Sequence, residues 1–490
     1  MIRSTLAIAV LALRSAIRSR LVLCLLAALA AGWIVVPRMV HGDGTLAGRV
    51  HVTLVYSLGY SAIMLSLATL WAACRLIADD VRGRQICLVA VKPIRRVQVW
   101  LGKWLGLLAM NAVLLAGTAL WTGLTVAWTM RSAEAPAAEK AEVRDTVLSA
   151  RVGVLPRETL SDEQLHVWLD RFLATRTLPE DVPAEIAPVF ARLLQDGQAL
   201  DSATCEQVFP WFRTVARRRL ATVETGQTKR WAFAVPPGRM RALRRASSMP
   251  VTLQFHLSHH AMDRKPVSGE WRIGTADSPH LVRVIVRDRM ERTHRLPLVL
   301  PAEAVRDGGP IMVEFFNGDA DTSNRAVFQP DRPVELMFRQ GGFAGNLARA
   351  TLILFAKVAL LAAAGLCVSA MFSFPVASFS AVAAMLMALL VHYLAVTGGE
   401  IGGCGHDHGH GHGESAFLHV GEEFARLLNV AIEPVMRVQT LTPLADGIAI
   451  GFGTLARSLL LLLGLYPALL GLAAGTVLNI RELGLPGKDG

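Results

Sequence analysis

The sequence predicts an α-helical polytopic membrane protein of six transmembrane helices, with an inserted α+β extracytoplasmic domain that contains a β-sandwich-like part. Three observations carry this. The 490 residues are 52% hydrophobic and only 18% charged, with a mean hydropathy of +0.41, more apolar than a soluble chain of this length. Charge-free runs near the length of a bilayer crossing recur in both the first and last thirds. Between residues 131 and 346 the pattern reverts to that of a water-soluble domain.

A spanning helix needs about 20 apolar residues, because hydrocarbon offers no partner to an unsatisfied backbone amide. The candidates are residues 21–36, 52–73, 104–128, 347–371, 376–396 and 458–478. The fourth and fifth come from one uncharged run, Val358 to Gly399. As one helix it would measure about 63 Å, roughly twice the hydrocarbon thickness, so it must fold back. The turn signal inside it is "FSFPVAS" around Pro375. Ahead of the first span lies a basic, partly apolar lead-in, "TLAIAVLAL", which suits a helix lying in the interface before an uncleaved anchor.

Lys and Arg in short loops set the orientation. The first twenty residues carry four Arg and no acid, and Arg75 to Lys103 carries seven basic residues against Asp79 and Asp80. Both segments are therefore expected in the cytoplasm, and six spans return the C-terminus to the same side. The net charge of +11 is read as the same bias toward anionic lipid rather than as a nucleic-acid surface. The expected location is the cell (inner) membrane. The opposite face then receives the domain at 131–346 and a loop at 398–457.

Within that domain, residues 131–228 read as mainly helical: "SDEQLHVWLDRFLATR" opens with Ser161 as a candidate N-cap and Gln164 three positions on. Residues 229–340 read as β-rich. In "VTLQFHLS" the apolar residues Val251, Leu253, Phe255 and Leu257 alternate, and four further strand-like runs follow between turn residues. Asn317, Gly318 and Asp319 read as a turn rather than a calcium site, and "HLSHH" (His256 to His260), which could ligate metal, reads as a strand running into a loop. There is no G-x-S-x-G, no H-E-x-x-H and no Cys with an obviously placed base, so no catalytic residue is assigned. Of the six cysteines, Cys205 and Cys404 fall in segments expected outside, either as one disulfide or as two thiols.

The segment between the second and third spans, residues 74–103, is a polar island: "DDVRGRQICLVAVKPIRRVQVWLGKWLG" begins at Asp79. Its apolar residues Ile86, Leu88, Val89 and Val91 would hold a helix against a groove or the membrane surface, with Arg and Lys heads on acidic groups or phosphates. Pro93 and a hinge at Gly102 would set its angle to the next span. Asp79, Asp80, Gly83, Leu88, Pro93, Arg95, Arg96, Gly102 and Lys103, in that order between two spans, resemble the cytoplasmic coupling segment of the ABC-2 type permeases, membrane subunits of ATP-binding-cassette transporters. The basic lead-in "ALRSAIRSRLVL" and the closing "NIREL" are similar too, so the resemblance covers residues 1 to 130 and 345 to 490 and leaves the insert outside it.

The resemblance implies a permease, an exporter by default, that carries an unknown substrate and is driven by a separate ATPase subunit holding ATP and Mg. It also implies a second permease copy, identical or similar. The chain carries no G-x-x-x-x-G-K-[ST], so it has no phosphate-cradling loop of that type and is not expected to be an enzyme by itself. The alternative is a non-transporting membrane scaffold that presents a partner- or metal-binding domain outside.

Two further features stand apart. "GGCGHDHGHGHGE" places His406, His408, His410 and His412 at alternate positions, a spacing that can chelate Zn, Cu or Ni, or can equally be a Gly-rich linker that tolerates His. Lys357 lies some way into the fourth span, where a charge is either functional or snorkels to the interface.

Overall fold

The computed structural model describes residues 2–39, 44–82, 96–157, 161–195, 205–234, 248–257, 268–275, 278–285, 293–301, 310–318, 325–329, 334–401 and 439–480. The chain is mostly helical with some sheet, and it divides into a helical unit, residues 1–150 with 341–490, and a second unit, residues 151–340.

The helical unit is framed by α3 (Leu46–Arg82) and α4 (Arg96–Ser132). Each is about 55 Å long at 1.5 Å per residue, and they pack antiparallel, since the end of α3 at Asp80 meets the start of α4 at Lys103. Before them come α1 (Ile2–Arg18) and α2 (Arg20–Met39), bent by 70° across Ser19. α5 (Ala137–Thr146) follows α4, and its Glu139 accepts the Leu46 amide at 2.9 Å, satisfying one orphan donor of the α3 N-terminus. Its Val143 joins Leu46, Val50 and Val126 in one apolar cluster. That packing is why the division between the units falls at residue 150, beyond the boundary at 131 expected from composition.

After the second unit, α9 (Phe343–Met371) runs through the middle of the bundle, packing on α3, α4 and the last helix. Its buried face is dominated by small residues, among them Ala350, Ala359, Ala362, Ala363 and Gly365. At Gly365 an added Cβ would lie 2.7 Å from the Ala73 Cβ of α3, so the small residue is what permits the approach. α9 ends at Phe372 with extended backbone, and α10 (Phe374–Ile401) begins with Pro375 in its first turn, so the long apolar run folds back at its Pro. Then come α11 (Leu441–Ala445), α12 (Phe452–Leu459), a π segment (Leu460–Leu465) and α13 (Tyr466–Ile480).

Four stretches are long and apolar enough to cross a membrane: Leu46–Asp80, Arg96–Ser132, Phe343–Met371 and Phe452–Leu478. The bent α1–α2 pair passes the same test only when taken together. Helix enters the segment 74–103 from both sides, since α3 continues to Arg82 and α4 begins at Arg96. An i,i+4 pair between Arg75 and Asp79, at 2.6 Å, supports the extension of α3.

In the second unit, α6 (Asp162–Thr175), α7 (Ala187–Gln195) and α8 (Cys205–Leu220) bury Trp168, Phe172, Phe190 and Phe212 in one cluster. α6 opens with the expected capping box: Ser161 accepts from the Gln164 amide, and Gln164 accepts from the Ser161 amide. The strands are β1 (Ser149–Val154), β2 (Thr222–Val223), β3 (Thr228–Phe233), β4 (Ser248–His256), β5 (Ser268–Thr275), β6 (Ser278–Ile285), β7 (Thr293–Pro301), β8 (Ile311–Phe316), β9 (Ala326–Val327) and β10 (Val334–Gly342). They form sheets ordered β1-β10-β4-β7 and β3-β8-β5-β6, with a small β2-β9 pair. β1 falls in the part expected to be helical.

The two larger sheets share one core. Val251, Leu253 and Phe255 of β4 and Leu336 and Phe338 of β10 come from one sheet, and Trp231, Trp271, Val313 and Phe315 from the other. The alternating residues of β4 do point into this core, but Thr252 and Gln254 between them are buried as well. The register explains how a polar residue is accommodated there: Gln254 sits between Glu335 of β10 and Arg295 of β7. Asn317, expected simply to turn the chain, is fully buried and donates to the Val223 carbonyl at 3.1 Å, tying β8 to β2. Asp319, His259 and His260 lie outside the described residues.

Candidate functional site

Of the residues singled out between the second and third expected spans, Asp79, Asp80, Arg96, Gly102 and Lys103 are described, and they lie where the end of α3 meets the start of α4. Lys103, in the second turn of α4, carries its ammonium between the Asp80 carboxylate and the Leu76 carbonyl of α3, and its side chain is only 7% exposed. A charge so placed persists because it is paired and hydrogen-bonded; unpaired, it would cost several kcal/mol. Asp79 belongs to a different pair. It holds Arg75 on the exposed side of the same helix, and Arg75 also reaches the Ser19 hydroxyl at the α1–α2 bend, 3.4 Å away. Arg96 donates to the Leu478 carbonyl in the last turn of α13, where a helix leaves carbonyls unsatisfied and a cation is favourable.

Gly102 is not a hinge. It lies inside the continuous helix α4, and an added Cβ would come within 2.8 Å of Ile8 and 2.9 Å of the Thr5 carbonyl of α1. One turn on, a Cβ at Gly106 would come within 2.4 Å of the Ala9 carbonyl. Gly-x-x-x-Gly here lets two helix backbones touch. α1, with Ala9, Ala12 and Ala16 buried, is thus docked on the base of α4.

Two aromatic residues and a hydroxyl complete the base. Trp100 and Trp104 stack at 5.9 Å, and the Trp104 indole donates to the Ala359 carbonyl of α9 at 2.9 Å. Ser369 of α9 donates to the Cys74 carbonyl at 2.5 Å and accepts from the Ala78 amide at 3.1 Å. Cys74 and Ala78 are the i,i+4 partners of one helical turn, so the Ser369 hydroxyl bridges a rung of α3 one turn before Asp79 and Asp80. Such a wedge is a recognised place for a helix to bend.

These contacts tie together the helices that flank residues 83–95. Gly83, Leu88, Pro93 and Arg95 lie outside the described residues, as do His406, His408, His410 and His412. Among the described residues no group of three or more His, Cys, Asp or Glu is placed to hold a metal. Lys357 lies half-buried on α9.

Sequence reading missed a Cys with a neighbouring base. Cys205 Sγ lies 3.7 Å from His166 Nε2, across α8 and α6. Burial, with Asp170 and Glu206 adding to it, pushes the thiol up from its ordinary value. It also missed the polar contact between α3 and α4, where the fully buried Thr69 donates to Asn111 at 2.8 Å. Spacing gave no signal for either. Comparison with family models, with curated proteins and with solved structures finds no match to this chain.

Proposed function

We propose that this chain is the permease subunit of an ABC-2 type transporter, an exporter by default, in which residues 83–95 receive mechanical work from a separate ATPase. The observation that carries the reading is the pairing of the buried Lys103 with Asp80, which joins the two helices on either side of a charged segment. A push on that segment is then passed to α3 and α4 together, through Trp104 and Ser369 to α9, and through Arg96 to α13. A merely solvated loop needs no such anchorage.

In this reading α2, α3, α4, α9, α10 and the α12–α13 stretch are the six spans, and α1 lies along the cytoplasmic surface. Both termini face the cytoplasm of the cell membrane. The sandwich and the His-rich loop lie outside, and two permease copies, identical or similar, flank the pathway. ATP and Mg belong to the partner ATPase.

Co-expression with an ATPase that carries a Walker A motif tests the proposal. Co-purification is expected, with ATP hydrolysis that depends on the permease. Reversing Arg95 and Arg96 to Glu is expected to abolish coupling while the chain still inserts. An ATPase that neither binds nor responds would favour the scaffold reading instead.

A further inference from the structure

At the opposite end of the α3–α4 pair, a cavity of about 700 Å³ opens between the end of α2, the start of α3 and the end of α4. That is the size of a small-molecule site. Its wall is aromatic. Trp33 and Trp121 stack at 6.0 Å, and both are pinned: the Trp121 indole donates to the Trp33 carbonyl at 3.0 Å, and the Trp33 indole to the Ser61 hydroxyl at 3.2 Å. Trp128, two turns beyond Trp121 on the same face, is 69% exposed, as a Trp at a membrane interface is. The exposed Leu124 continues the apolar wall.

The rim is cationic. Arg38 and Arg49 line it, and no Asp or Glu lines it among the described residues. Arg38 spends one donor on the Ile34 carbonyl at 2.7 Å, leaving the rest of its fork open. Between rim and wall, Thr53, Thr125 and Thr129 also line the cavity. About one helical turn along from Thr53 and Thr125, the Ser57 and Thr122 hydroxyls are buried without a hydrogen-bond partner.

We infer that this cavity is a binding site for one anionic phospholipid, with its phosphate on Arg38 and Arg49 and its acyl chains against Trp128 and Leu124. Two cations on one rim, with no acid lining it among the described residues, favour an anion, and the planar Arg fork matches phosphate. The apolar wall favours an anion that carries chains over a free one. The site rests on α3 and α4 crossing the bilayer and not on any ATPase, so it stands or falls apart from the transport reading.

Native mass spectrometry of the full chain, released from detergent after incubation with phosphatidylglycerol or phosphatidylcholine, reads it directly. Retention of phosphatidylglycerol over phosphatidylcholine is expected, falling about tenfold in the Arg38→Gln/Arg49→Gln double variant. Trp128→Ala should weaken retention of the lipid without changing membrane recovery of the chain. Equal retention of the two lipids, or undiminished phosphatidylglycerol on the double variant, overturns the inference. Displacement by millimolar inorganic phosphate alone also overturns it, assigning the rim to a small anion.

Discussion

The two ends of the α3–α4 pair are built on opposite principles. At one end polar groups are locked away. The buried Lys103 is paired with the partly buried Asp80, and Gly102 and Gly106 let α1 pack closely on α4. At the other end the groups are held ready but left open, with Arg38, Arg49 and Trp128 facing a cavity. Even the closures differ in kind. The first end is tied by an ion pair between helices. The second is tied by Asn346, which donates to the Ile448 carbonyl at 2.8 Å and accepts from the Ile450 amide at 2.9 Å, and by Gly447, whose backbone runs against the Thr146 carbonyl where no Cβ would fit. Under the proposed reading, an end that transmits force needs stiffness between helices, and an end that takes up a lipid needs a fixed frame around an accessible space.

The largest expected effect is at the locked end. Asp80→Asn strands the Lys103 charge and should destabilise the chain by about 3 kcal/mol or more, read as thermal unfolding in detergent. The double change Asp80→Leu/Lys103→Met should recover most of that loss. If Asp80→Asn unfolds like the parent chain, the lock is not energetic.

Next, Gly106→Val forces α1 off α4, an overpacking cost of about 1–3 kcal/mol. A thiol introduced by Ala9→Cys, buried in the parent, should then react with maleimide; continued protection would show that α1 does not depend on this approach. A comparable cost falls at the other end. Asn346→Ala leaves two backbone groups of the 448–450 segment unpaired, for about 1–3 kcal/mol, and should speed amide exchange at Ile450 while leaving Lys103 and its neighbours unchanged.

The smallest effect lies in the second unit. The Trp168 indole bonds Asp181 at 2.9 Å and, as the main cause, holds its carboxyl below the ordinary range. A depressed carboxylate stabilises the fold above its unfolded pKa, and that contribution is lost as pH falls through the lower, folded value. Asp181→Asn should therefore lower the neutral plateau of the stability profile slightly, which flattens the acid arm, and leave the stability at the acid end in place. An unchanged acid arm would remove this group from the account.

How much of this was legible beforehand depended on whether a feature is local in the chain. Apolar length marked the helices at 46–80, 96–132, 343–371 and 452–478, and Pro375 marked the reversal, because both follow from backbone chemistry within a few residues. The Ser161–Gln164 box and the inward residues of β4 were legible for the same reason. The site was legible as a composition and not as a set of partners. Asp79 and Asp80 are neighbours in sequence, yet a 100° step round the helix gives one to Arg75 and the other to Lys103. Gly102 looked like a hinge because its role, room for Ile8, is played by another helix. Ser369 and the Arg38–Arg49 rim left no signal at all, since each depends on helices distant in sequence packing side by side.

The central claim of the proposal is that residues 83–95, which connect the helices joined by Lys103 and Asp80, are where an ATPase pushes. A photocrosslinking residue at Leu88, with a second at Thr45 on the opposite end as the control, tests it in membranes containing the ATPase. The account predicts capture of the ATPase from position 88 and none from position 45. Capture from position 45, or from neither, would contradict it.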